Sequence, residues 1–140
     1  MLCSYVSARA RRRAIVRGCV GRILVIEDEP SPRRLIACAL TGARHEVRAI
    51  AGRAEALRAI TDFTPDLLLA DWLLADETGY DVILAVREHL PGVRALFITG
   101  FPPERVRAQA QRVSPWPILE KPLDLDVLVA AVDTALAAVC

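Results

Sequence analysis

No apolar run in the 140 residues approaches the roughly 20 that a membrane-spanning helix needs, so no membrane span is expected. The first residues are not expected to act as a secretory leader either, because Arg17 and Gly18 break the short apolar run Ala14-Ile15-Val16. The four cysteines, Cys3, Cys19, Cys38 and Cys140, form no CxxC pair and no ligand spacing. This argues against a structural metal site and for reduced thiols in a cytoplasmic protein. Acidic residues are absent from the first 22 positions, which hold Arg9, Arg11, Arg12, Arg13, Arg17 and Arg22. Those six set aside, residues 23–140 carry 12 basic against 17 acidic side chains, a net charge of −5. An acidic folded part is not expected to bind nucleic acid directly.

What remains is globular in composition, with 54% hydrophobic and 25% charged residues, and long enough for one domain with a substantial core. Residues 1–21 lack periodicity and caps. They could be a disordered basic arm, a short helix for an acidic partner, or sequence upstream of the functional start; composition favours an arm dispensable to the fold. The domain proper is placed at 22–140.

From Arg22 the pattern is regular. Ile23–Ile26 reads as a buried strand ending at Glu27-Asp28-Glu29. Ser31 is the expected N-cap of a helix with Pro32 at its first position, burying Leu35, Ile36, Ala39 and Leu40 and stopping at Gly42. Glu46–Ile50 alternates and suits a sheet edge; Gly52 leads to a helix with Ala54, Leu57 and Ile60 inward. The Leu-Leu-Leu-Ala run at 67–70 needs cover on both faces, as a central parallel strand receives, and ends on Asp71. A helix from Gly79 to Leu90 and the strand Ala95–Ile98, ending on Thr99, follow. Pro102-Pro103 opens a helix burying Val106, Ala110 and Val113. Trp116–Leu119 reads as a short edge strand because of Pro117. It ends on Glu120-Lys121-Pro122, and an amphipathic helix from Leu125 to Val139 completes the chain. Five strands alternating with five helices predict an α/β, flavodoxin-like (βα)5 sandwich, its parallel sheet in the order 2-1-3-4-5.

Four of the five strands end on a side chain with chemical potential: Glu27 and Asp28, Asp71, Thr99 and Lys121. Parallel strands bring these ends to one edge. Singly, each is explained by a loop, a turn or a surface charge; their coincidence at strand ends is not. Converging carboxylates repel unless a cation lies among them, and hard oxygen ligands suit Mg²⁺. A carboxylate can also attack phosphorus, with metal, ammonium and hydroxyl neutralising the phosphoryl oxygens. Lys121 is the only lysine in the chain.

Residues 22–140 resemble the receiver domain of two-component response regulators, on the strength of ILVIEDEP, the PDLLLAD strand with Gly79 eight residues past Asp71, FITG, and EKPL. The resemblance implies Asp71 as phospho-acceptor, Glu27, Asp28 and Asp71 as the Mg²⁺ site with Asp28 a direct ligand, and Thr99 and Lys121 as contacts of the phosphoryl group. It implies a histidine kinase or histidine phosphotransfer protein as donor and a downstream protein target. No output domain is expected after the fifth helix, so the receiver's own contacts would carry the signal. A homodimer through the fourth helix, fifth strand and fifth helix is compatible with this picture. Ile118 stands where the family usually has its switch aromatic. Leu73 and Phe101 flank the expected water approach and predict a long-lived phosphoryl group. Two other readings compete. A pseudo-receiver would never be phosphorylated, but Asp28, Asp71 and Lys121 disfavour it. An aspartate-nucleophile phosphohydrolase would carry a second Asp at position 73, where this chain has Leu.

Overall fold

The computed structural model describes residues 20–100 and 103–138. Five parallel strands, β1 (Arg22–Ile26), β2 (Glu46–Ile50), β3 (Leu67–Asp71), β4 (Arg94–Thr99) and β5 (Leu119–Glu120), form one sheet in the order β2-β1-β3-β4-β5. The helices between and after them are α1 (Pro30–Gly42), α2 (Arg53–Ala59), α3 (Gly79–His89), α4 (Pro103–Val113) and α5 (Leu125–Ala137). Both the alternation and the strand order are as the sequence pattern predicts.

Side-chain alternation divides the core in two. Ile23, Val25, Leu67, Leu69, Leu96 and Ile98 face α1 and α5. Leu24, Ile26, Leu68, Ala70, Ala95 and Phe97 face α2, α3 and α4. β3 is buried at all five positions, as a strand paired on both sides and covered on both faces must be. Its register places Leu69 beside Val25 and Leu96, and Asp71 beside Ile98. β2 is half exposed, consistent with an edge.

Several local expectations are corrected. α1 begins at Pro30 with Glu29 as N-cap and no side-chain cap bond, so Ser31 lies inside the first turn. Pro30 supplies the fixed φ and missing N–H that favour the first helical position. Leu35 is 48% exposed; Ile36, Ala39 and Leu40 form the buried stripe. In α2 Ala56 and Ala59 are buried, and Leu57 and Ile60 pack against the same core as expected, while Ala54 faces solvent. β5 comprises only Leu119 and Glu120, and Trp116, Pro117 and Ile118 precede it. Cys38 is disulfide-bonded, against the expectation of reduced thiols. The expected placement of Val139 falls outside the described residues.

The first strand has an anchor at Gly21. Its carbonyl accepts from the Glu46 N–H at 3.0 Å and its N–H donates to His45 Nδ1 at 3.2 Å. No helix among the described residues is long and apolar enough to cross a membrane.

Candidate functional site

The carboxyl ends of β1, β3, β4 and β5 converge on one corner. Glu27 and Asp28 lie just past β1, Asp71 closes β3, Thr99 closes β4, and Lys121 follows β5. One carboxylate oxygen from each of Glu27, Asp28 and Asp71 lies within 4.8 Å of the others. Lys121 Nζ donates to Asp71 Oδ2 at 2.6 Å and lies 3.7 Å from Glu27 Oε1. The Lys121 N–H donates to the Thr99 carbonyl at 2.9 Å, so the sheet itself sets the spacing between lysine and threonine. The Thr99 side chain is buried in the same corner. All five residues singled out in the sequence are therefore neighbours.

Electrostatics in this corner are unbalanced. Three carboxylates against one ammonium would leave two negative charges where water is scarce, since Glu27 is 2% exposed and Asp71 6%. Burial, with the nearby Asp71 charge, pushes the Glu27 carboxyl from 4.5 up to about 7, although Lys121 pulls the other way. Burial lowers the Lys121 ammonium, but the hydrogen bond and charge of Asp71, with Glu27 and Glu29, outweigh it and raise it overall.

The sign of the resulting pH dependence follows directly. Between 4.5 and about 7 the folded state holds a proton on Glu27 that the unfolded chain has lost, so stability falls as pH rises through this window. In divalent-free buffer the loss relative to Glu27→Gln is expected to approach about 1.4 kcal/mol per pH unit, read from urea unfolding at several pH values. A flat difference between the two proteins would refute it.

The loop after Asp71 is held closely. The Leu73 N–H donates to Asp71 Oδ1 at 3.2 Å, the Leu74 N–H to the Glu77 carbonyl at 2.9 Å, and Leu73 bridges Thr78. The Arg53 guanidinium at the start of α2 grips Glu77, with Nε 2.9 Å from Oε1. Thr78 then caps α3, its Oγ1 accepting from the Asp81 N–H at 3.2 Å.

Gly79 has a steric reason to be glycine. Its N–H donates to the Trp72 carbonyl at 2.7 Å, and a Cβ there would overlap the Asp71 main-chain carbonyl. Gly79→Ala is expected to cost about 1–3 kcal/mol, the usual range for overpacking, and to slow any reaction of Asp71 by displacing it. Urea midpoints and single-turnover rates would show both effects; an unchanged rate would separate Gly79 from the site.

Trp116 and Ile118 lie on opposite sides of the sheet. Trp116 packs against the core beneath α1 and α5, with the Arg94 guanidinium 5.7 Å from its ring. Ile118 packs against the core on the α2–α4 side. Trp116 is therefore no substitute for an aromatic at position 118. The aromatics on the latter side include Trp72, Phe97 and Tyr80, the Trp72 ring centroid lying 5.2 Å from Phe97 and 5.9 Å from Tyr80. Leu73 is 54% exposed at the rim, while Phe101 falls outside the described residues.

Comparison with known proteins agrees with this geometry. The family model for the response regulator receiver domain matches residues 23–133. The chain is 30% identical over 114 residues to the DNA-binding transcriptional regulator NtrC of Azospirillum brasilense, covering 81% of this chain and 24% of that protein. It is 31% identical over 112 residues to the regulatory protein LuxO of Vibrio cholerae, covering 80% and 25%. It thus spans about a quarter of the length of these relatives. Among solved structures, NtrX from Brucella abortus superposes with a TM-score of 0.77 at 28% identity, over 85% of this chain and 27% of that one. The signal receiver domain of an HD domain-containing protein from Pseudomonas fluorescens gives 0.76 at 19% identity, over 85% and 96%, a likeness of fold. With the sheet order, the acidic corner and the family match in agreement, this chain belongs to the response regulator receiver domain family.

Proposed function

We propose that Asp71 accepts a phosphoryl group from a histidine kinase or histidine phosphotransfer protein, and that the modified receiver acts on a downstream protein target. The observation that carries this reading is the Lys121 ammonium 2.6 Å from Asp71 Oδ2, with Glu27 and Asp28 clustered around the same carboxylate. An Asp71 oxygen attacks phosphorus, and the bond from phosphorus to the donor nitrogen or oxygen breaks as the donor leaves. Asp71 is held for this by Lys121 at one oxygen and the Leu73 N–H at the other. In the product Lys121 and the Thr99 hydroxyl would contact phosphoryl oxygens, which carry the charge that Asp71 carried before.

Donor chemistry and charge both fit Mg²⁺: three clustered carboxylates supply hard oxygens, and one ammonium leaves a deficit of two positive charges. Glu27, Asp28 and Asp71 would hold the ion, which would neutralise phosphoryl oxygens during transfer. Leu73 cannot hydrogen-bond a water at the rim, so slow loss of the phosphoryl group is part of the proposal. Leu73→Asn is expected to speed its decay several-fold, measured on purified phosphoprotein; equal decay would remove Leu73 from the account.

The test is intact mass after exposure to a small phosphoryl donor with and without Mg²⁺. A single Mg²⁺-dependent adduct supports the reading. Phosphate release over many turnovers would indicate a phosphohydrolase, and no adduct would indicate a binding module that is not phosphorylated.

A further inference from the structure

Arg33 has no place in the site as described so far. It lies within the first turn and a half of α1, where a positive side chain opposes the helix dipole. No acidic side chain in that first turn compensates. A cation in that position needs another reason. Its Nη1 donates to the main-chain carbonyl of Glu27 at 3.0 Å and to that of Asp28 at 3.3 Å. An Nη nitrogen carries two hydrogens, so one guanidinium amino group can serve both carbonyls, each through a charge-assisted bond.

We infer that Arg33 is a positioning residue for the acidic loop, holding Glu27 and Asp28 in place for a divalent cation before the cation binds. The inference rests on the proposed reading of these carboxylates as cation ligands. Glu27 leaves β1 with its N–H bonded to the Ile50 carbonyl at 3.0 Å, which fixes the strand side of the loop. Beyond that bond the chain turns away from the sheet, and adjacent carboxylates there repel each other. Arg33 fixes the far side by its two carbonyl contacts. Glu29 follows as the N-cap of α1, its carbonyl accepting from the Arg33 N–H at 3.1 Å and its N–H reaching Glu27 Oε2 at 3.4 Å. The guanidinium charge also offsets carboxylate repulsion without occupying a carboxylate oxygen, which leaves those oxygens available to a metal. Lysine cannot reproduce the arrangement fully, because its ammonium is a point donor on a flexible stem.

The experiment titrates Mg²⁺ by calorimetry into the parent protein, Arg33→Ala, Arg33→Gln, Arg33→Lys and Asp28→Asn. Amide hydrogen exchange of residues 27–29 is read in metal-free protein alongside. Residues that orient metal ligands typically contribute 10–100-fold in affinity, so Arg33→Ala and Arg33→Gln are expected to weaken Mg²⁺ binding about tenfold or more. Arg33→Lys should fall between them and the parent. Loop exchange should accelerate in the same order, with the rest of the domain unchanged. Parent-like affinity in Arg33→Gln, while Asp28→Asn loses binding, would overturn the role of Arg33 and leave the cation reading standing. Parent-like affinity in Asp28→Asn would overturn both. Exchange accelerated throughout the domain would show a general stabilising role and also overturn the inference.

Discussion

Asp71→Asn is expected to take up no phosphoryl group under conditions that load the parent protein, and to be at least as stable. An amide oxygen is a far weaker nucleophile than a carboxylate, so the attack on phosphorus is lost. The amide oxygen can still accept from Lys121, whose Nζ lies 2.6 Å from Asp71 Oδ2. Removing the Asp71 charge relieves a repulsion that helps push Glu27 up to about 7, and Glu27 should titrate lower in the variant. In divalent-free buffer near neutral pH the urea midpoint should therefore hold or rise. Mass spectrometry and unfolding curves on the same preparations check the two halves. An Asp71→Asn variant that still acquired phosphate would leave Asp71 without its proposed role.

The second large effect is structural and lies at the opposite end of the sheet. His45 is fully buried just before β2, with Nε2 3.1 Å from Asp133 Oδ1 on α5. Its Nδ1 accepts from the Gly21 N–H, so the proton sits on Nε2 and points at the carboxylate. His45→Leu removes that donor from a carboxylate 4% exposed, and removes the acceptor of a main-chain N–H as well. A loss of about 1–3 kcal/mol for each buried group left without its partner is expected, with the larger share at the carboxylate. The double variant His45→Leu/Asp133→Leu should recover much of it, because no buried charge is then left behind. Folded His45→Leu should still react at Asp71 at the parent rate. A loss under 1 kcal/mol, or a double variant worse than the single, would contradict this account of the pair.

These two sites differ in how far sequence exposes them. Buried parallel strands announce themselves by short apolar runs, and their last residues must share an edge, so Glu27, Asp28, Asp71, Thr99 and Lys121 can be named from local pattern and topology together. His45 and Asp133 are 88 positions apart and neither sits at a strand end near the site, so no local pattern joins them. Gly79 is legible as a helix start, but its contact with the Asp71 carbonyl depends on how the loop closes. Leu35 and Ala54 read as inward because apolar residues at helical spacing suggest a single stripe. The actual packing rotates the buried face towards Ile36 and Ala56. Trp116 to Ile118 reads as strand because aromatic and β-branched residues favour that state. Pro117 and the edge position limit pairing to two residues, whose register joins Leu119 to Ile98 and Glu120 to Thr99.

The most direct measurement locates the phosphoryl group. Protein loaded by a small phosphoryl donor in Mg²⁺ is reduced with borohydride, which converts an aspartyl-phosphate to homoserine, then digested and mapped by mass. Homoserine at position 71 and nowhere else is the predicted result. Phosphate retained on another residue, or no conversion at Asp71 in protein that had gained the adduct mass, would contradict the account.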